Sequence, residues 1–219
     1  MTIYIGTGGA PLTNWYNKVL PQVRGCLEAV ALDQIREAVI DFCERTWVLN
    51  GDLPPIDAVA NQAIYPYVPP SDRLVVKRLE VWFNGLSLID KTPDDIRTIY
   101  PDAWETQSGT PLFHTAHDAR NVRLVPYPTA ALPGALKMRV TYKPVSTIAT
   151  IDTLIWEDYR ELIAAGARMR LFMMANMPWA SEKKADAERG MYEGGIDHIR
   201  FKVQRGFGRA PARVRASFL

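Results

Sequence analysis

Cysteine is nearly absent from this chain, and the two present, Cys26 and Cys43, lie at a spacing that fits no metal or redox motif. A disulfide scaffold is excluded, and two reduced structural thiols in a cytosolic product are expected. Long apolar runs are also missing. The longest nearly uncharged stretch, Leu171 to Ala180, is too short to span a bilayer and contains Pro178. Met1 to Pro11 has neither a basic lead nor an apolar core, so no secretory signal is read there and a soluble, cytoplasmic product is expected. A large net charge is lacking too: at +2 the bulk composition does not mark a nucleic-acid binder.

The motifs of catalysis are equally scarce. Gly6-Thr7-Gly8-Gly9 lacks the lysine-serine ending and the following helix of a phosphate loop, so it reads as an N-terminal arm. His114 and His117 are three apart, but T-P-L-F-H-T-A-H-D-A reads as a strand running into a loop, with no cysteine cluster beside it. Ser108-Gly109 is not a nucleophile elbow, because G-x-S-x-G does not occur. No set of nucleophile, base and orienting group is visible, so no enzyme, cofactor or metal is expected.

What is present is 219 residues, 47% apolar and 23% charged, enough for one good core and a smaller second one. Leu27 to Leu49 is the first strong element. Leu32, Ile35, Val39, Phe42 and Thr46 recur at helical steps, while Asp33, Glu37, Asp41 and Glu44 run along the opposite face. Thr13 to Val23 is expected to form a shorter helix truncated by Pro21, joined to the first through Gly25-Cys26.

From Gln62 the period becomes strand-like. Asn84-Gly85, between V-W-F and L-S-L-I, is the clearest hairpin signal because both turn positions need positive φ. Thr92-Pro93-Asp94-Asp95 reads as a helix start, with a capping threonine, proline in the first turn and acids against the dipole. Pro111 to Thr115, Asn121 to Val125 and Leu136 to Lys143 follow as strands. In the last, Leu136, Met138, Val140 and Tyr142 are predicted to be buried and Lys137, Arg139, Thr141 and Lys143 wet. Asp152 or Thr153 caps a long helix to about Asn176, whose Ala164-Ala165-Gly166-Ala167 patch calls for another helix close by. Ser181 caps a second helix with Ala185, Tyr192, Ile196, Ile199 and Val203 as its apolar stripe.

The expected architecture is α+β: an α-helical bundle from the N- and C-terminal helix pairs (13–61 and 146–204) with an inserted β-rich subdomain (62–145), an N-terminal arm (1–12) and an extended C-terminal arm (205–219). No acid follows Asp197, so the positive charge is local to the end of the chain. The arm R-G-F-G-R-A-P-A-R-V-R-A-S-F-L has too few apolar residues for a core of its own, and its glycines and proline keep it from extending a helix. It is therefore assigned a surface on another chain, either a neighbouring copy or a partner protein. Phe207, Phe218 and Leu219 are its apolar anchors, and Arg205, Arg209, Arg213 and Arg215 its ion-pairing groups. The stripe Asp33, Glu37, Asp41, Glu44 reads as a solvated face or, alternatively, as a wall that repels phosphate in a channel.

Several segments together resemble the head-to-tail adaptor (connector) proteins of tailed bacteriophages. They are L-P-Q-V-R-G-C-L-E and A-L-D-Q-I-R-E-A-V-I-D-F-C-E-R-T-W within 20–47, G-T-P-L-F-H at 109–114, V-R-L-V-P-Y-P at 122–128, L-K-M-R-V-T-Y-K-P at 136–144, and E-D-Y-R-E-L-I-A-A-G-A at 157–167 leading to M-P-W at 177–179. The resemblance covers roughly residues 19 to 200. It implies a helical bundle with a β insertion, a homo-oligomeric ring of about twelve subunits beneath the portal protein, and a C-terminal arm reaching the portal. It further implies a tail or nozzle protein as second partner, DNA passing through the lumen without specific binding, and residence in the virion neck at the head-tail junction. The alternative is a nucleic-acid-binding accessory protein that uses the basic C-terminal tail.

Overall fold

A computed structural model describes residues 9–205. In chain order the elements are β1 (Ala10–Pro11), α1 (Tyr16–Val19), α2 (Glu28–Thr46), β2 (Asn50–Asp52), β3 (Ile56–Ala58), β4 (Ile64–Pro66), β5 (Arg73–Phe83), β6 (Leu86–Ser87), β7 (Ile89–Asp90) and α3 (Pro93–Ile99). β8 (Phe113–Ala116), β9 (Asn121–Val125), β10 (Leu132–Pro144), β11 (Thr150–Ile151), α4 (Thr153–Phe172) and α5 (Glu182–Gln204) complete them. The chain divides into two compact units, one of residues 9–49 with 143–205 and one of Asn50–Tyr142.

The expected α-helical bundle with an inserted β subdomain does not form, and the fold class is corrected to a β-rich α+β chain, 26% strand. The N-terminal helix pair fails first. Thr13 to Val23 breaks into a 3-10 turn at Leu12–Trp15, a single α turn at α1 and a second 3-10 turn at Leu20–Gln22. Pro21 has no N–H to donate and its ring clashes with the carbonyl four residues back, so helix cannot propagate through it. Strand pairing also enters the helical unit: Ala10 and Pro11 pair antiparallel with Ile151 and Thr150.

Three long helices make up the rest of that unit. α2 buries Ala31, Ile35, Ala38, Val39, Phe42, Cys43 and Thr46. Its end is set by Trp47, left-handed at φ 58° and donating its N–H to the Cys43 carbonyl. Asp152 caps α4 by accepting from Leu154 N–H at 2.8 Å, and Ser181 caps α5 by accepting from Lys184 N–H. Ala164, Ala165 and Ala167 are fully buried, and a Cβ on Gly166 would stand 2.6 Å from the Tyr192 ring of α5. The converse contact is as close, since a Cβ on Gly195 would meet the Leu162 side chain at 2.4 Å. Glycine at these two positions is what lets α4 and α5 approach.

In the second unit, β2, β10, β5 and β6 form one sheet, with β3 also pairing with β10, and β4, β9, β8 and β7 form another. Asn84 and Gly85 turn the β5–β6 hairpin with φ 48° and 80°. The L-S-L-I segment does not stay in that hairpin. After buried Leu88 the chain moves to the second sheet, where Ile89 and Asp90 run parallel to Phe113 and His114. The β10 alternation is as predicted except at Thr141, which is buried and donates its hydroxyl to the Lys77 carbonyl. The α3 start is a full capping box of Thr92 and Asp95.

Candidate assembly surfaces

The four carboxylates of the α2 stripe share a face but not an environment. Toward the N-terminus Asp33 is exposed and pairs with Arg36 at 2.6 Å, and Glu37 projects outward with no partner among the described residues. Toward the C-terminus the fold claims the other two. Asp41 accepts a 2.8 Å hydrogen bond from the Tyr192 hydroxyl and lies 3.3 Å from Arg170. Glu44 accepts from the Lys143 ammonium at 2.9 Å. Burial first and the Asp41 carboxylate second push the Tyr192 phenol well above its ordinary range, so it stays a donor to Asp41.

Around Asp41 runs an ionic network that joins the three helices. Arg45 on α2 holds both carboxylate oxygens of Glu193 on α5, which keeps the Glu193 carboxyl below its usual range. Arg168 on α4, only 8% exposed, grips Glu188 of α5 through two 2.8 Å hydrogen bonds and donates to the Lys18 carbonyl. Sequence reasoning missed Arg168, which looks like one more cation on a mostly apolar helix. A usable signal was its step of four from Ala164 within the small-residue patch, which places it on the buried side.

At the far end of α5 the described chain stops at Arg205, whose guanidinium stacks 4.1 Å from the Phe201 ring. Phe201 is itself 54% exposed. The assigned arm residues Phe207, Arg209, Arg213, Arg215, Phe218 and Leu219 lie outside the described residues. Beside this end, α4 and α5 enclose a groove of about 480 Å³ floored by Tyr159, Leu162 and Ile199. Glu157, Asp158 and Glu161 stand along its α4 side. Glu161 is matched by Lys18 at 2.6 Å, whereas Glu157 and Asp158 have no partner among the described residues.

In the second unit several cations lie over rings: Arg123 is 4.8 Å from the Trp104 ring and Arg139 5.7 Å from that of Trp82. His114 is buried in β8 with Nδ1 3.5 Å from Asp90, and His117 lies past the end of that strand, so the two do not share a helical face. Burial foremost, with Arg78 nearby, holds the His114 imidazole below its ordinary value in spite of Asp90. Cys43 is fully buried and its thiol is pushed up to about 12 by that burial, which makes it a structural thiol. Among the described residues no helix is long and apolar enough to cross a membrane.

The described surface of the helical unit thus carries paired charges, an outward acidic half-helix and an open groove. The model of the SU10 adaptor proteins matches residues 14–215. The chain belongs to the SU10 adaptor protein family. It is therefore a structural adaptor of bacteriophage, of the head-to-tail kind. The match takes in both compact units and Arg205, Arg209, Arg213 and Arg215, and stops short of Phe218 and Leu219. No curated protein matches the chain significantly.

Proposed function

We propose that this adaptor is a non-enzymatic neck protein that assembles into a ring of about twelve copies beneath the portal, joins head to tail and continues the DNA channel. The observation that carries the proposal is the family match across nearly the whole chain. Ring closure needs heterologous contacts between unlike faces of neighbouring copies. The outward carboxylates Asp33 and Glu37 supply a phosphate-repelling face for the lumen, with Asp41 and Glu44 contributing field while tied to their intrachain cations. Arg205 and the residues after it supply a cationic arm for the portal or a neighbouring subunit, and a tail or nozzle protein binds the opposite side of the ring.

Deleting residues 205–219 tests this. The shortened protein is expected to fold with nearly unchanged thermal stability and to fail to join portal rings, as read by native mass measurement of the protein alone and mixed with portal. Assembly onto portals at the full-length level would sink the arm's role as connector. The competing activity, nucleic-acid binding through the tail, predicts DNA affinity that falls steeply as salt rises; the adaptor is expected to have little free DNA affinity to lose.

A further inference from the structure

β5 pairs with β10 along one edge, but on the other only Trp82 and Phe83 meet β6, and Val81 accepts from the Leu88 N–H. From Leu74 to Glu80 no strand covers that second edge among the described residues. An uncovered edge is a row of main-chain donors and acceptors that another strand can pair with. Beside it lies a cleft of about 350 Å³, lined on the β5 side by Val75, Val76, Lys77 and Arg78. Successive side chains of a strand point to opposite faces, so a cleft that touches four residues in a row meets the strand along its edge. The facing wall includes Asp90 at the end of β7 and Ala116 at the end of β8. β7 pairs only with Phe113 and His114, so no strand covers Thr115 and Ala116 on that side among the described residues. The cleft stands where the two sheets part after Leu88, with a strand edge on either side.

Of the charged groups in this cleft, three are already engaged. Lys77 has a partner within the chain, Asp118 accepts from the Arg120 N–H at 2.7 Å and from Asn121 at 2.6 Å, and Asp90 faces the buried Nδ1 of His114 at 3.5 Å. Arg78 differs. It has no hydrogen bond or ion pair among the described residues, and its Nε is shut away from water with no acceptor. A guanidinium so placed is under-solvated, and a carboxylate answers it with charge-assisted hydrogen bonds. We infer that the cleft is a docking site for an extended segment of a different protein, which adds a strand to the open edge of β5 and sets an Asp or Glu side chain on Arg78. Main-chain hydrogen bonds supply the affinity, and the carboxylate supplies the selection. Exposed Leu74 and Leu79, on opposite faces of β5, extend the contact to either side of the strand. The charges also say why the occupant is not a second copy. Among the described residues the strand acids of this chain are committed: Asp52 and Glu80 to Arg139, Asp57 to the Gly134 N–H and Asp90 to His114. The inference rests on the β unit alone and is independent of ring number and of the C-terminal arm.

The test is titration of the full-length protein with the acetylated and amidated peptide Thr-Val-Glu-Val-Thr, read by amide resonance shifts and hydrogen exchange. A dissociation constant on the order of 1 mM is expected, with shifts and slowed exchange at the main-chain amides of Val75, Val76, Arg78 and Ala116. The same peptide with glutamine in place of glutamate is expected to bind about tenfold more weakly, through loss of one charge-assisted pair. Arg78→Gln is expected to erase the difference between the two peptides without lowering the thermal midpoint. The glutamate peptide N-methylated at both valines, which cannot donate along one edge, is expected not to bind. No shift at these amides, equal binding of the glutamate and glutamine forms to the unaltered protein, or a preference for glutamate that survives Arg78→Gln overturns the inference. Undiminished binding of the methylated peptide overturns it as well, because the contact is then not strand pairing. Slowed exchange at the same amides that grows with protein concentration in the absence of peptide overturns it too, by making a second copy the occupant. None of these readouts involves the portal or residues 205–219, so failure here and failure of the deletion experiment above are separate results.

Discussion

The helical unit and the β unit differ in where their long-range ion pairs sit. In the helical unit charges are drawn into the helix interfaces: Arg168 and Glu188 have side chains only 10% and 18% exposed, and Asp41 gathers Tyr192, Arg170 and Arg45 between α2, α4 and α5. In the β unit the cross-strand pair stays outside, with Arg139, 40% exposed, between Asp52 and Glu80, and the more buried Arg73, 14% exposed, lies over the Tyr142 ring and pairs only with its exposed neighbour Asp72. A charge taken out of water must keep its partner, because the partner left behind is stranded in a low-dielectric site, whereas a surface charge is resolvated at once. The helical unit is thus rigidly specified from within. Asp33 and Glu37, on the outer margin of α2, take no part in these cross-helix pairs among the described residues.

Five substitutions would break or sharpen that contrast, in descending order of effect. Arg168→Met leaves Glu188 buried and unpaired and is expected to cost about 3 to 5 kcal/mol in denaturant unfolding; a loss no larger than that of a surface pair would show that the helix interfaces are wetter than the contacts indicate. Gly166→Leu overpacks the α4–α5 contact against Tyr192 and is expected to cost roughly 1 to 3 kcal/mol. The matched control is Gly190→Ala, where a Cβ meets nothing within 4 Å, and a gain of about 0.5 to 1 kcal/mol from helix propensity is expected.

In the β unit, Arg139→Ala is expected to cost only about 0.2 to 1 kcal/mol, because its pairs with Asp52 and Glu80 are solvent-screened. A cost matching that of Arg168 would erase the distinction between the units. The smallest effect is a slope with pH. His114 has its folded pKa held below the ordinary 6.5 by burial, so the unfolded chain takes up the proton more readily. Its contribution is fully present above pH 6.5 and declines as the pH falls below it. Glu193, held below its ordinary 4.5 by Arg45, contributes above pH 4.5 and loses that contribution as the pH falls through its folded pKa. Unfolding midpoints measured from above pH 6.5 down to 4.5 are expected to fall in the unaltered protein and to stay level in His114→Gln. The drop below pH 4.5 is expected to persist in both.

Local chemistry made part of the fold legible beforehand. The Thr92–Asp95 capping box, the Asn84-Gly85 turn, the Asp152 and Ser181 caps and the small-residue patch at 164–167 are each decided within one turn of chain, and each occurs where the residues place it. One departure is local and one tertiary. The helix expected over Thr13 to Val23, with Pro21 truncating it, breaks further into short 3-10 and α turns, whereas L-S-L-I divides between two sheets where Leu88 is buried. Of the assembly surfaces, the acidic stripe was visible as a period. Its division into an outward half and a committed half was not, since Tyr192, Arg170 and Lys143 reach it from more than ninety residues away.

The sequence by itself determined where helices cap and strands turn, which faces are apolar, that positive charge gathers after Asp197, and the adaptor resemblance that the family match then established. These are short-range or order-based properties, carried by side-chain period, backbone preference and the succession of motifs. Only the tertiary structure decided that the chain is β-rich rather than a bundle with an insertion, that Arg168 and Asp41 are tied to partners on other helices, and that a groove with two carboxylates unpartnered among the described residues opens beside the end of α5. Each of those depends on which distant residues arrive at the same place, and burial and pairing are properties of that meeting rather than of any one stretch of chain.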